Sequence, residues 1–81
     1  MNREEAFELI KKIILQELPE ESPEITLETK FMDDLGFDSL DIVQLCVDLE
    51  DEIGVEINEG DFKFKTVTVK DIVEAVVQAK P

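Results

Sequence analysis

The sequence predicts an all-α fold: a four-helix bundle with three main helices, a short third helix and a long first loop. Three observations predict it. Apolar residues recur at three- and four-residue steps over 3–18, 39–53 and 69–79. Each stretch comes after a residue suited to cap a helix, Asn2, Asp38 or Thr68. The 81 residues include only three Gly and three Pro, and these fall outside the periodic stretches.

In the first stretch, Phe7, Ile10, Ile14 and Leu18 form the apolar stripe. Glu4 and Glu5 sit in the first turn, where negative charge suits the helix dipole, and Pro19 ends the helix. A long connection spans 19–37, broken by Pro19, Ser22, Pro23 and a second turn at Gly36. Connections of this length are uncommon in compact domains and often carry function. Ile25, Leu27, Phe31, Met32 and Leu35 are expected to anchor this one on the bundle as an ordered loop.

The second helix, 39–53, has Asp38 as N-cap with Asp41 as capping-box partner, and Gly54 just past its end. Ile42, Leu45, Cys46, Leu49 and Ile53 share one face and should enter the core. Leu40, Val43 and Val47 form a second apolar stripe beside Asp41, Gln44, Asp48 and Asp51. One reading makes it a partner-facing surface. The other has the small bundle wrap more of this helix than usual, and the pattern alone favours wrapping.

Val55-Glu56-Ile57 reads as a short extended or turn segment. Asn58 is placed to cap a brief helical turn over 59–63, with Phe62 and Phe64 as core anchors. Thr68 and Asp71 form another capping box, opening a last helix over 69–79 with Val69, Ile72, Val73, Val76 and Val77 inward. β-branched residues are poor helix formers, so a strand over 66–69 stays open as an alternative.

The chain is expected to be one domain over 1–81. Its core is thin for a stable fold. A single cysteine, Cys46, excludes an internal disulfide, and no histidine is present to build a usual zinc site. Helix packing must therefore stabilise it, and 43% apolar residues suit that role.

Charge narrows the function. With 21 acidic and 8 basic residues the net charge is −13. Such a surface repels nucleic acid and anionic lipid. It attracts proteins with basic patches, and it opposes self-association, so a monomer is expected. Acidity also serves solubility alone. No segment resembles a secretory signal, and no apolar run approaches the ~20 residues that span a bilayer. A lone cysteine fits a reducing interior. Membrane insertion is not expected, and the expected location is the cytoplasm or an organelle interior after removal of a transit segment.

Catalysis by this chain alone is disfavoured. With no His or Tyr there is no usual base for Ser22 or Ser39, and no Cys–His pair. The glycines are isolated, so no phosphate-cradling loop exists. The acidic run 33–38 does not fit a calcium-loop register: from Asp33, position three is Leu35; from Asp34, it is Gly36. Weak divalent-ion binding by the clustered carboxylates would still relieve their repulsion.

Ser39 is the informative residue. It opens the second helix just after a Gly-containing loop, so its hydroxyl should be exposed. The N–H groups of that turn are unpaired and the dipole end is positive, which favours a phosphate on its oxygen. From these residues alone, Ser39 and Asp38 read as a helix cap more readily than as an attachment site.

Asp34-Leu35-Gly36-Phe37-Asp38-Ser39-Leu40-Asp41 resembles the phosphopantetheine attachment motif of acyl carrier proteins. The core Asp-Ser-Leu is Asp38-Ser39-Leu40. The tract Val43 to Ile53 is similar to the family's second helix, and Val55-Glu56-Ile57 is similar to the segment after that helix. The likeness extends over nearly the whole chain.

The resemblance implies a non-catalytic carrier of acyl thioesters. A separate phosphopantetheinyl transferase would place a 4'-phosphopantetheine arm on Ser39, using coenzyme A and magnesium. The arm's thiol, not Cys46, would hold the acyl group. Asp38 would help position the transferase. Leu40, Asp41, Val47, Asp48 and Asp51 would form the face that docks basic patches of fatty acid or polyketide enzymes, which turns the second stripe into a partner surface. Leu45, Cys46, Leu49, Phe62 and Ile72 would lie near a shelter for the acyl chain. The sequence departs from the family pattern at Phe37, where a small residue is usual, at Gly54, and at Lys63 and Lys65. These leave the pathway open among fatty acid, polyketide and specialised lipid synthesis. The paired-glycine motif of peptidyl carriers is absent.

Overall fold

The computed structural model describes residues 2–17, 24–57 and 62–79. They form three helices: α1 (Arg3–Glu17), α2 (Ser39–Ile53) and α3 (Val69–Gln78). Leu18, the stop at Pro19, Ser22 and Pro23 lie outside the described residues. So do positions 58–61, which hold most of the expected short third helix. Phe62 and Lys63 are not helical.

Each helix begins on the same local device. Asn2 Oδ1 accepts the Glu5 N–H at 2.8 Å, and Glu5 Oε1 accepts the Asn2 N–H at 3.3 Å. Asp38 and Asp41 make the same exchange at the head of α2, as do Thr68 and Asp71 at the head of α3. A capping box satisfies two backbone donors that a helix start would otherwise leave unpaired. Gly54 closes α2 at φ 69°, a left-handed conformation that costs glycine little, and its N–H bonds the Glu50 carbonyl at 2.8 Å.

The core takes Ile10 and Ile14 from α1, Ile42, Leu45, Cys46 and Leu49 from α2, and Ile72, Val73 and Val76 from α3. Ala6, small enough for close helix approach, is also fully buried. Ile53 and Val77 are half-buried at the edge, as are Phe7, Phe62 and Phe64.

The described part of the loop before α2, residues 24–37, lies against the bundle. Phe31 is fully buried and Ile25 nearly so. Backbone bonds stitch this loop to the start of α3: Phe31 N–H to Val67 O at 3.2 Å, Val69 N–H to Thr29 O at 2.9 Å, and Lys70 N–H to Leu27 O at 2.9 Å. Lys30 and Thr68 pair as an isolated antiparallel bridge. This bridge is all that exists of a strand over 66–69, because Val69 already opens α3. Thr29 is buried but satisfied, its Oγ1 accepting the Thr26 N–H at 2.8 Å. Leu27 departs from expectation. It is 39% exposed, because its carbonyl holds α3 while its side chain lies in an open groove with Phe7 and Val73.

Candidate functional site

The segment leading into α2 is tightly folded. Asp34 N–H bonds Lys30 O at 2.9 Å, and an Asp34 carboxylate oxygen accepts the Lys30 N–H at 2.8 Å. Gly36 takes φ 71°, and its N–H reaches Met32 O at 3.2 Å. The chain then turns so that the Phe37 N–H meets Phe31 O at 2.9 Å. The two phenyl rings pack with centroids 5.7 Å apart, tilted by 41°. Phe37 is only 9% exposed.

Asp38 comes next, in extended conformation, as the N-cap, which makes Ser39 the first residue of α2. Ser39 is exposed. Asp38 Oδ1 accepts the Asp41 N–H at 2.9 Å, and Asp41 Oδ2 accepts the Asp38 N–H at 3.1 Å. Among the described residues the N–H groups of Ser39 and Leu40 have no acceptor. These donors point out of the positive end of the helix. The site thus offers an uncommitted hydroxyl, two uncommitted N–H donors and two carboxylates already committed to the cap. That arrangement fits a phosphodiester on Ser39 Oγ: the donors meet its charge, and the carboxylates are held by backbone bonds.

The remaining residues singled out in the sequence fall into two groups. Leu40 is 78% exposed and Val47 38%, with Asp41 and Asp51 exposed and Asp48 half-buried between them. The bundle does not wrap over Leu40. Leu45, Cys46, Leu49 and Ile72 are buried in the core, and Phe62 sits half-buried beside it. Of these five, Leu45 also lines a cavity between α1 and α2, with Ile13, Ile14, Leu35, Phe37 and Asp41.

Sequence reasoning treated Phe37 only as a departure from pattern. Its structural place was signalled by a hydrophobic staple: an apolar residue just before the N-cap, matched by Ile42 four positions into the helix. Both are buried. Val67 and Ile72 repeat the pattern at α3, and both are buried as well.

Residues 8–76 match the family described as phosphopantetheine attachment site. The chain is 44% identical over 75 residues to an acyl carrier protein of Thermotoga maritima, covering 93% of this chain and 91% of that protein. Three helices among the described residues and a likeness over nearly the full length of both chains lead to one conclusion. This chain belongs to the acyl carrier protein family, carriers rather than catalysts, which hold acyl groups as thioesters on a covalently attached 4'-phosphopantetheine arm.

Proposed function

We propose that Ser39 Oγ is the attachment point of the arm, and that the acidic, partly apolar face of α2 presents the arm to partner enzymes. The observation that carries this reading is the exposed, unbonded Ser39 hydroxyl at the head of α2, framed by the Asp38–Asp41 cap. The arm supplies a terminal thiol and enough reach to deliver a thioester. This chain supplies the anchor, the local field and the docking surface. The Ser39 and Leu40 N–H groups and the helix dipole offset the phosphate's charge. As in other members of the family, a separate phosphopantetheinyl transferase would bring coenzyme A, magnesium and the base that takes the serine proton, which suits a chain that holds no histidine.

Leu40, Asp41, Val47, Asp48 and Asp51 suit docking because apolar contact and steering charge are interleaved there. α2 contains no Lys or Arg, so its field draws basic patches and speeds encounter at low salt. Biosynthetic enzymes acting on fatty acyl or polyketide intermediates are the partners proposed, and Asp38 positions the transferase. The protein works as a monomer in the cytoplasm. Its single cysteine suits a reducing interior, and among the described residues no helix is long and apolar enough to cross a membrane.

Leu45, Cys46, Leu49, Phe62 and Ile72 are proposed to shelter a long acyl chain. Four of them are at most 3% exposed, so entry requires the core to part there. Each methylene that leaves water contributes ~0.8 kcal/mol towards that opening. Tandem mass spectrometry after transferase treatment tests the attachment. The arm should map to the peptide containing Ser39; mapping to a peptide containing Ser22 would overturn the assignment.

A further inference from the structure

An open groove of about 510 Å3 runs between α1 and α3, and no residue of α2 lines it. Arg3, Glu4 and Phe7 form one wall, and Lys70, Val73 and Glu74 the other, with Leu27 completing the floor. Residues three and four apart share a helix face, which brings Phe7 beside Arg3 and Glu4, and Val73 and Glu74 beside Lys70. The groove is held in shape from two sides. Arg3 bonds Glu74 from wall to wall at 2.6 and 3.0 Å, and the Leu27 carbonyl accepts the Lys70 N–H at 2.9 Å. The floor is apolar and partly open: Val73 is buried, Phe7 half-buried and Leu27 39% exposed.

The charges of the lining cancel, Arg3 and Lys70 against Glu4 and Glu74. Arg3 and Glu74 are committed to each other. The Glu4 carboxylate and the Lys70 ammonium have no hydrogen-bond or ion-pair partner among the described residues; Glu74 feels the charge of Lys70 at longer range. One uncommitted anion thus stands on the α1 wall and one uncommitted cation on the α3 wall, with apolar surface between. A chain of net charge −13 repels an acidic partner, and a basic one is drawn to α2, which holds no Lys or Arg. A segment bearing one charge of each sign complements this groove instead.

We propose that the α1–α3 groove docks a segment of a partner protein that carries apolar side chains between one carboxylate and one cationic group. Lys70 meets the carboxylate, Glu4 meets the cation, and the apolar side chains cover Phe7, Leu27 and Val73. Exposed ion pairs contribute little affinity, so the apolar contact holds the segment and the two charges select it. Because α2 takes no part in the groove, the contact tethers the carrier while Ser39 and the face around Leu40 and Val47 stay free for an enzyme. It needs no arm on Ser39: the Ser39→Ala chain should bind as wild type does, which separates this test from that of the attachment.

The test is an amide NMR titration of the full chain with three capped tetrapeptides: Glu-Leu-Leu-Lys, Glu-Ala-Ala-Lys and Lys-Leu-Leu-Lys. Glu-Leu-Leu-Lys should shift Phe7, Leu27, Lys70, Val73 and Glu74 saturably. Glu-Ala-Ala-Lys should bind there roughly tenfold more weakly, because it buries less apolar area. Lys70→Glu makes both uncommitted groups acidic, so it should weaken Glu-Leu-Leu-Lys several-fold and strengthen Lys-Leu-Leu-Lys at the same signals. Leu27→Ser keeps the carbonyl that holds α3 and should weaken every Leu peptide, with core signals unchanged. No saturable shift at the groove, shifts centred on Leu40 and Val47, equal binding of the Leu and Ala peptides, or no reversal of preference in Lys70→Glu would each overturn the proposal. So would octanoate saturating the groove as tightly as the peptide, which would assign it to a small amphiphile, or the same shifts on concentrating the chain alone, which would assign it to a second copy.

Discussion

Asp38 and Asp41 hold one another's backbone at the entrance to α2: each carboxylate accepts the other residue's N–H, at 2.9 and 3.1 Å. This reciprocal pair sets the turn on which Ser39 stands. Asp38→Ala removes the cap and should cost about 1 kcal/mol, within the 0.5–2 range of such losses. Asp38→Asn keeps an acceptor of similar capping strength and should stay within a few tenths of wild type. Urea denaturation measures both. If Asp38 also positions the transferase, Asp38→Asn will load more slowly despite its normal stability.

Phe37 packs on Phe31 and closes the turn before the cap. Phe37→Ala should destabilise by about 3 kcal/mol, from lost burial and the cavity left behind. Phe37→Leu retains most of the volume and should cost less than half as much. Equal losses for the two variants in urea denaturation would show that ring burial is not what holds this turn.

Arg3 ties the start of α1 to α3 through Glu74, with Nε–Oε1 at 2.6 Å and Nη2–Oε2 at 3.0 Å. The hydrogen bonds from Arg3, with the charges of Arg3 and Lys70, hold the Glu74 carboxyl below the usual carboxylate range against the opposing effect of desolvation. A carboxyl depressed on folding adds stability above its unfolded value, and that stability is lost as pH falls through the folded value. The stability difference between wild type and Glu74→Gln should therefore be largest near neutral pH and shrink on acidification across the carboxylate range. Both side chains are partly exposed, so added salt should shrink it too. A difference independent of pH would contradict the ion pair's role.

Leu40 and Leu49 separate surface from core on one helix. Leu40 is 78% exposed and Leu49 fully buried. Leu49→Ala should cost 2–5 kcal/mol, about the range for buried leucines. Leu40→Glu should leave stability within about 0.5 kcal/mol, yet raise the KM of the transferase. An unchanged KM would remove Leu40 from the docking face.

The legible parts of this fold are the local ones. Capping boxes need residues three apart, so Asp38–Asp41 and Thr68–Asp71 were readable before any packing was known, and so was Gly54 as a helix stop. The core stripe of α2 was readable from its period. The same caps placed Ser39 at the head of α2, and its exposure came with that place. Leu27 was not legible, because it depends on how the long loop lies against distant residues; the burial of Phe37 was signalled by its place just before the cap, and only its packing on Phe31 was not. The pairing of Lys30 with Thr68 joins residues far apart in the chain and leaves no local mark. The cleft between α1 and α2 is likewise a product of packing: Ile13, Leu35 and Leu45 meet only in three dimensions. The expected helical turn over 59–63 lies largely outside the described residues.

The measurement that bears most directly on the central claim is the intact mass after incubation with coenzyme A, magnesium and a broad-specificity phosphopantetheinyl transferase. Wild type should gain one phosphopantetheine, and Ser39→Ala should gain none. No gain by wild type, under conditions that modify an established carrier, would contradict attachment at Ser39; so would an equal gain by the Ser39→Ala variant.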